Sequence, residues 1–496
     1  MQRIDIDGVP VLTAPGPDRT TAALVFGVGL RDETFAGIEV THLVEHLAMS
    51  ALPKSHLRCN AVTDVDTTTF VATGRPAAVG AFLEGVCRAL ADLPTDRIDV
   101  EIGVLDAENC STADSTLGAL WAARFGLAGP GLVVADGPGR EFLTEDVVRA
   151  HARRWFVRAN AALWCRGPLP EGLRLPLPDG PRPERTTPES RPQTGPVWTV
   201  VPGSGVGLLL GATGPWDPAL RLGVEVLLDR LRDTARHRRG ISYSVDSVGL
   251  DLHAGHREVA VVVDARQGQE SAVADLVWEQ FVALGEAGPT AAELAHAVAG
   301  FEEELDADEQ AVVEAELVDA AYCAVSGLPF RPVQDVVRAW RTTTAEDVAA
   351  ALRAARGTVV LAVPEGVSYA GPGAPVERRT LCWVEPVLPD GETFRPPLAA
   401  RVLGRAQGRT LVVGTTALAH RAADGDVHRI PWELLECAVP TEDGRGLLVV
   451  GRNLCTVPVH EDVFGRRAVA AVRARVPADR WVARPARRQE ALVRAS

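Results

Sequence analysis

The segment Thr41-His42-Leu43-Val44-Glu45-His46-Leu47 sets two imidazoles four residues apart, with a carboxylate just before the second. On a helix, residues i, i+3 and i+4 share one face. His42 and His46 can then ligate one metal ion while Glu45 reaches a water molecule beside it, as a base and not as a ligand. A catalytic zinc ion takes three protein ligands and keeps a fourth position open. The motif supplies two. Standing alone, H-x-x-E-H suggests a metal site against the alternative of two surface histidines and a glutamate met by chance on an ordinary helix, and the residues downstream have to decide.

Glu101 and Glu108, in Asp99-Val100-Glu101-Ile102-Gly103-Val104-Leu105-Asp106-Ala107-Glu108, are seven apart. That is two helical turns, so both point the same way. A glutamate on a second helix packed against the first would supply the missing ligand. A solvated acidic face is the ordinary reading of such a pair by itself. Between the two segments lies Asn60-Ala61-Val62-Thr63, and then Thr67-Thr68-Thr69-Phe70-Val71-Ala72, whose Thr, Phe and Val favour a strand.

The elements that must position these groups can be read around them. Strand-like runs, Gly8–Leu12 and Thr21–Val28, lead through a polar turn into the histidine helix, and a helix-periodic stretch runs from Ala77 to Leu93. A Pro, Gly, Arg and Glu rich segment, 168–195, reads as a linker. Strand and helix patterns then repeat the first layout: strands at 206–211, a helix at 217–236, strands at 242–251 and 258–263, then helices. After a second Pro/Gly-rich stretch, 367–400, short strands follow between 410 and 459, and then a helix from Phe464 to Arg475.

Composition narrows the class. Of 496 residues, 46% are hydrophobic and 23% charged, as in a soluble globular protein of two or three domains. No apolar run is long enough to span a bilayer, and the N-terminus lacks the apolar core of a signal peptide, so a cytoplasmic location is expected. Eight cysteines without a C-x-x-C pair fit reduced, mostly buried thiols and not a disulfide framework or a cysteine zinc site. A net charge of −14 argues against nucleic acid as a partner. The charge is uneven: residues 401–496 hold 16 Arg against 10 acidic groups, a balance of +6, so the first 400 carry −20. Lys54 is the only lysine, which a GC-rich coding sequence explains.

Taken together, these segments resemble the pitrilysin/insulinase family of zinc peptidases, in its shorter, mitochondrial-processing-peptidase-like branch. In that family H-x-x-E-H is followed by N-A-x-T on a substrate-facing strand and then by two glutamates seven apart. The resemblance implies Zn²⁺ held by His42, His46 and Glu108, Glu45 as catalytic base, and Glu101 in support. Asn60, Ala61 and Thr63 would line the bound peptide. Arg236-His237-Arg238-Arg239-Gly240-Ile241-Ser242-Tyr243 matches the family's second-half signature R-x-x-x-G-x-x-Y, in which Arg236 and Tyr243 reach the substrate backbone and the oxyanion across a closed chamber. The helix-then-strand ending of the first domain is matched by Leu143–Val147 and Trp155–Ala161, and the likeness covers roughly residues 4 to 366. One departure stands out: a helical insert usual between the second histidine and N-A-x-T is missing between His46 and Asn60, so the wall beside the metal helix must be trimmed.

The implied architecture is α+β. Two homologous domains of mostly antiparallel sheet with helices packed on it, 1–170 and 196–366, form half a clamshell, joined by the linker 171–195. A second linker, 367–400, leads to a small β-barrel-like domain with one helix, 401–485, and a tail, 486–496. Its Ile430-Pro431-Trp432 and strand pattern resemble a bacterial pleckstrin-homology-like module, and its positive charge would suit an anionic membrane surface, with a protein-contacting or dimerisation module as the alternative. Chains of this length in the family supply half a chamber, which implies a homodimer or a heterodimer with a related chain. Cleavage of peptides is the expected activity. The alternatives are a non-catalytic core or assembly subunit, whose relatives typically lack part of the metal motif, and a binding module acting through the C-terminal domain.

Overall fold

The structure is a computed structural model describing all residues except 109–115, 204, 214–215, 368, 370–376, 381, 383–387, 398–407 and 486–496. The tail expected at 486–496, half of the second linker and the first residues of the C-terminal domain therefore lie outside the described residues.

The first lobe is a six-stranded sheet of β1 (Gln2–Ile6), β2 (Val9–Ala14), β3 (Thr20–Phe26), β4 (Arg58–Thr63), β5 (Thr68–Gly74) and β6 (Ala161–Arg166). Its order is β1-β2-β6-β3-β5-β4, antiparallel except for β2 beside β6. α1 (Val40–Ser50) leaves after β3. Between β5 and β6 run α2 (Pro76–Ala91), α3 (Ile98–Glu108), α4 (Thr116–Phe125) and α5 (Glu145–Trp155). α1 carries two stripes at helical spacing. Val40, Leu43, Val44 and Leu47 are buried against a core that includes Leu24, Phe26 and Phe70, and His42, Glu45 and His46 occupy another face.

The second lobe repeats the plan. β7 (Val197–Val201), β8 (Gly205–Thr213), β9 (Val245–His253), β10 (His256–Asp264), β11 (Val360–Pro364) and β12 (Glu377–Arg379) are ordered β12-β7-β11-β8-β10-β9. β7 and β11 are parallel, as β2 and β6 are, and β8, β10 and β9 pair as β3, β5 and β4 do. α6 (Pro218–Leu231) follows β8 as α1 follows β3. α7 (Glu270–Ala287), α8 (Ala291–Ala307), α9 (Glu309–Ser326), α10 (Val333–Thr342) and α11 (Ala345–Arg356) fill the span between β10 and β11.

The lobes exchange one helix each. α4 of the first lays Leu120 and Trp121 against Leu209, Ala260 and Ala362 of the second sheet. α9 of the second lays Leu317, Ala320 and Ala321 against Leu12, Ala23 and Trp164 of the first. Both sheets are thus covered on two faces, which is why β3 and β6 read as continuous apolar runs and not as alternating ones. A buried ion pair, Arg124 with Glu258 at 3.4 Å, crosses the same junction.

Three expectations are refined. The Pro-rich segment after β6 is no loose tether: Leu173, Leu175 and Leu177 are buried in the first core, and Arg185 bonds Asp32. The helix expected over 217–236 ends at Leu231 and continues as a π-helical turn, Arg232–Arg238. Tyr243 lies in the turn before β9 and not on the strand.

The C-terminal domain is barrel-like only loosely, because its described strands form two sheets and not one closed ring. β13 (Glu392–Phe394), β14 (Thr410–Val413), β15 (Ala417–Arg421) and β16 (Val427–Pro431) make the first; β17 (Leu435–Pro440), β18 (Gly446–Gly451) and β19 (Thr456–His460) make the second. α12 (Arg466–Arg473) closes their shared core with Val469 and Val472. The domain rests on the first lobe through Cys437, Val439 and Val450 against Phe35, Leu127 and Phe142. Among the described residues no helix is long and apolar enough to cross a membrane.

Candidate metal centre

α1 begins abruptly. Glu39 precedes it with a left-handed backbone (φ 69), and the first N–H groups of the helix need an acceptor. Glu33 provides it: its carboxylate accepts the N–H of Thr41 at 2.9 Å and of Glu39 at 2.7 Å. Burial pushes the Glu33 carboxyl up to about 8, against the pull of those two donors. From the opposite side His151 on α5 meets the Thr41 hydroxyl at 3.0 Å. Burial, with Arg154 adding to it, lowers the His151 pKa to about 3, so the ring is neutral. The start of the helix is therefore fixed one residue before the first ligand.

His42 Nε2 and His46 Nε2 face each other at 3.2 Å. Glu108 Oε2, at the end of α3, lies 3.7 Å from the first and 3.6 Å from the second. A point equidistant from the three atoms of such a triangle is about 2.0 Å from each, the bond length of zinc to imidazole nitrogen and carboxylate oxygen. The donor set fits that ion in chemistry as well as spacing. His42 is held below its usual pKa by burial first and by His46 second, which keeps it neutral and free to ligate.

Glu45 is buried, 3.9 Å from His42 Nε2, and accepts a hydrogen bond from the Thr63 hydroxyl at 3.1 Å. Burial raises its pKa above the ordinary glutamate value, toward the range of a working base. Glu101 is also buried. Its Oε2 stands 3.7 Å from His46 Nδ1, the nitrogen turned away from the metal position, while Arg97 donates two hydrogen bonds to its Oε1, at 2.8 and 3.2 Å. A carboxylate behind a ligating imidazole orients the ring and raises its basicity.

Of the residues singled out from the sequence, the structure gathers His42, Glu45, His46, Thr63, Glu101 and Glu108 around one point. Asn60 and Ala61 stand on β4, the last strand of its sheet. Arg236 and Tyr243 form a separate pair in the second lobe, the guanidinium 4.9 Å from the ring centre and the Tyr243 side chain 74% exposed. Sequence reading missed Glu33, Arg97 and Arg140. Arg140 bonds Glu39 before α1 (2.8 Å to Oε1) and also Asp106 on α3, clamping the two ligand helices together. Arg97 was within reach of the sequence, four residues before Glu101 on one helical face. Arg140 and Glu33 carry no local signal.

No family model matches this chain, and no curated protein does. The fold, however, is shared with solved structures. A peptidase M16 inactive domain from Pseudomonas fluorescens superposes with a TM-score of 0.59 at 17% identity, over 75% of this chain and 99% of that one. A protease from Helicobacter pylori gives 0.59 at 14%, over 73% and 98%. The first half of the periplasmic protease PqqL from Escherichia coli gives 0.53 at 14%, over 73% and 91%. The chain has the fold of these M16 peptidase-like domains, a fold present in proteins named proteases and in a domain named inactive.

Proposed function

We propose that the chain is a zinc-dependent endopeptidase of the pitrilysin/insulinase type. The observation that carries this reading is the triangle of His42, His46 and Glu108, sized for one zinc ion, with the Glu45 carboxylate beside it. The inactive M16 relative favours a non-catalytic subunit as the second reading, but the motif here is complete.

Zinc on these three ligands supplies a Lewis acid that acidifies water and polarises the scissile carbonyl. Glu45 takes the proton of the attacking water and delivers it to the leaving amine nitrogen. Thr63 fixes the carboxylate for that exchange, and Glu101, anchored by Arg97, holds His46 in its ligating pose. β4 offers the substrate an open edge at Asn60 and Ala61, so an extended peptide adds to the sheet by main-chain hydrogen bonds. Arg236 and Tyr243 grip the peptide and the developing oxyanion from an opposing half, supplied by a second copy or a related chain.

The C-terminal domain, two sheets of four and three strands closed by α12, supports the pleckstrin-homology-like assignment and a protein or anionic-surface contact. None of the seven described cysteines is joined in a disulfide, which suits a reducing cytoplasm.

The test is zinc content together with cleavage of a mixed peptide library by wild type and Glu45→Gln. The expected outcome is stoichiometric zinc in both and a fall in cleavage of at least about 10³-fold in the variant, the upper part of what proton transfer by one side chain contributes. Zinc-loaded wild type that cuts nothing the variant spares sinks the enzyme reading.

A further inference from the structure

The sequence shows no cysteine pair at zinc-site spacing, yet the fold builds one. Cys382, three residues past the end of β12, meets Cys455 Sγ to Sγ at 2.8 Å and His428 Nδ1 at 3.3 Å. One donor atom from each of the three lies within 4.8 Å of the other two. Cys455 is fully buried and the other two are partly so. The two sulfurs are too far apart for a disulfide bond of about 2.05 Å, and a third, nitrogen donor stands with them.

The hairpin between β18 and β19 is shaped to present Cys455. Leu454 just before it takes a left-handed backbone (φ 64), a conformation uncommon for a branched aliphatic residue. Asn453, buried, donates its amide to the Arg429 carbonyl at 2.7 Å, tying the hairpin to the strand that bears His428. Cys382 is held from the other direction: Arg191 donates to the Thr380 carbonyl at 2.8 Å and Arg379 to the Pro192 carbonyl at 2.7 Å. Cys382 and the linked His428–Cys455 pair, held by separate sets of hydrogen bonds, converge on one point.

We propose that Cys382, His428 and Cys455 bind a second metal ion, a thiophilic divalent cation such as zinc, separate from the centre on α1. Two thiolates and an imidazole are a soft donor set that zinc favours over the hard cations. Binding replaces two S–H bonds by two metal–sulfur bonds and releases two protons, leaving the ion's two positive charges matched by two thiolates. The sulfurs must part to roughly 3.7 Å, the edge of a tetrahedron with zinc–sulfur bonds of about 2.3 Å. Because Cys382 follows the edge strand of the second lobe while His428 and Cys455 belong to the C-terminal domain, the ion staples that domain to the peptidase-like body. With three protein donors the fourth position of the tetrahedron is left to a water molecule, and the ion's place between the two units gives it a positioning role: it sets where the C-terminal domain sits.

The test uses the full chain purified under reducing conditions and loaded with Co²⁺. Thiolate-to-cobalt charge-transfer absorption is expected in the wild type. It should persist in His42→Ala, which has lost the other centre, and vanish in Cys455→Ser and in the less buried Cys382→Ser, whose retained circular dichroism guards against simple misfolding. Zinc stoichiometry should fall by one per chain in each cysteine variant, and chelation of that ion should lower the melting temperature of the C-terminal domain. A wild-type spectrum without the charge-transfer band, or metal-free protein whose mass shows Cys382 and Cys455 joined as a disulfide, overturns the proposal. Neither result bears on the α1 centre, so the two assignments fail separately.

Discussion

The helix that leaves β3 carries His42, Glu45 and His46; the helix that leaves β8, at the same place in the same strand order, carries Leu220, Val224, Leu227 and Leu228, all buried. Both helices pack an apolar stripe onto their own sheet. α1 turns two imidazoles toward a second helix with carboxylates in register, whereas α6 pairs Arg230 with Glu293 of α8, is otherwise sheathed by its lobe's other helices, and runs out into the π-helical turn that bears Arg236. One scaffold thus carries a candidate metal centre in one copy and a cation–phenol pair in the other. The chemistry belongs to the residues exposed at a shared structural position, and the strand order alone does not decide it.

The comparison is sharpened most by removing the second lobe's contribution. If Arg236 and Tyr243 stabilise the oxyanion, Arg236→Ala should lower kcat on the order of 10²-fold, as loss of one oxyanion donor does. Zinc stoichiometry should not change, since Arg236 bonds none of the ligands and stacks on Tyr243. Tyr243 is exposed, so Tyr243→Phe should leave stability within about 0.5 kcal/mol of wild type while lowering kcat in the same direction. Steady-state kinetics on a cleaved peptide decides it. Unchanged kcat in both variants would reduce the second lobe to a scaffold.

A smaller effect separates the lobes' arginine-paired carboxylates. Glu101 accepts from Arg97 and stands behind His46; Glu293 in the second lobe accepts from Arg230 at 2.6 and 3.0 Å and caps α8 through Thr290. Glu101→Gln should weaken zinc about 10–100-fold, the usual cost of losing a partner behind a ligand. Glu293→Gln should lower the melting temperature and leave zinc affinity alone. Competition with a chromogenic chelator reads the first and calorimetry the second. Equal zinc affinity in Glu101→Gln and wild type would mean that Glu101 serves Arg97 alone.

What could be read from the sequence follows from how each feature is encoded. H-x-x-E-H and the seven-residue spacing of Glu101 and Glu108 are local, because helical periodicity converts spacing into a shared face. The repeat of strand and helix patterns foretold the second lobe for the same reason. Arg140 was invisible because it acts through a fold that brings distant segments together, standing 101 residues from its partner Glu39, and Glu33, six and eight residues before the N–H groups it accepts, lies outside any capping spacing. The exchange of α4 and α9 between lobes has no local signature either, since a buried helix reads alike whichever sheet it covers. Cys382 and Cys455 are 73 residues apart, and only the junction of two domains makes them neighbours.

The last contrast concerns acid. His151 backs the start of α1 through Thr41, and burial holds its pKa near 3, far below the value of about 6.5 it regains when the chain unfolds. A base with a depressed folded-state pKa leaves the unfolded chain binding more protons, so its contribution to stability is complete above pH 6.5 and is lost as pH falls toward 3. In that window one proton is taken up on unfolding, and stability should fall by up to about 1.4 kcal/mol per pH unit from this group alone. The second lobe's helix α6 receives no comparable histidine contact in its described hydrogen bonds, so the acid-labile element should be α1. Glu33, raised to about 8 at the same helix start, gives the opposite slope down to about pH 4.5, so hydrogen exchange between pH 4.5 and 3 should show α1 amides losing protection before those of α6. His151→Gln, which can still meet the Thr41 hydroxyl but does not titrate, should flatten the acid slope by one proton. An unchanged slope in that variant would move the acid sensitivity elsewhere.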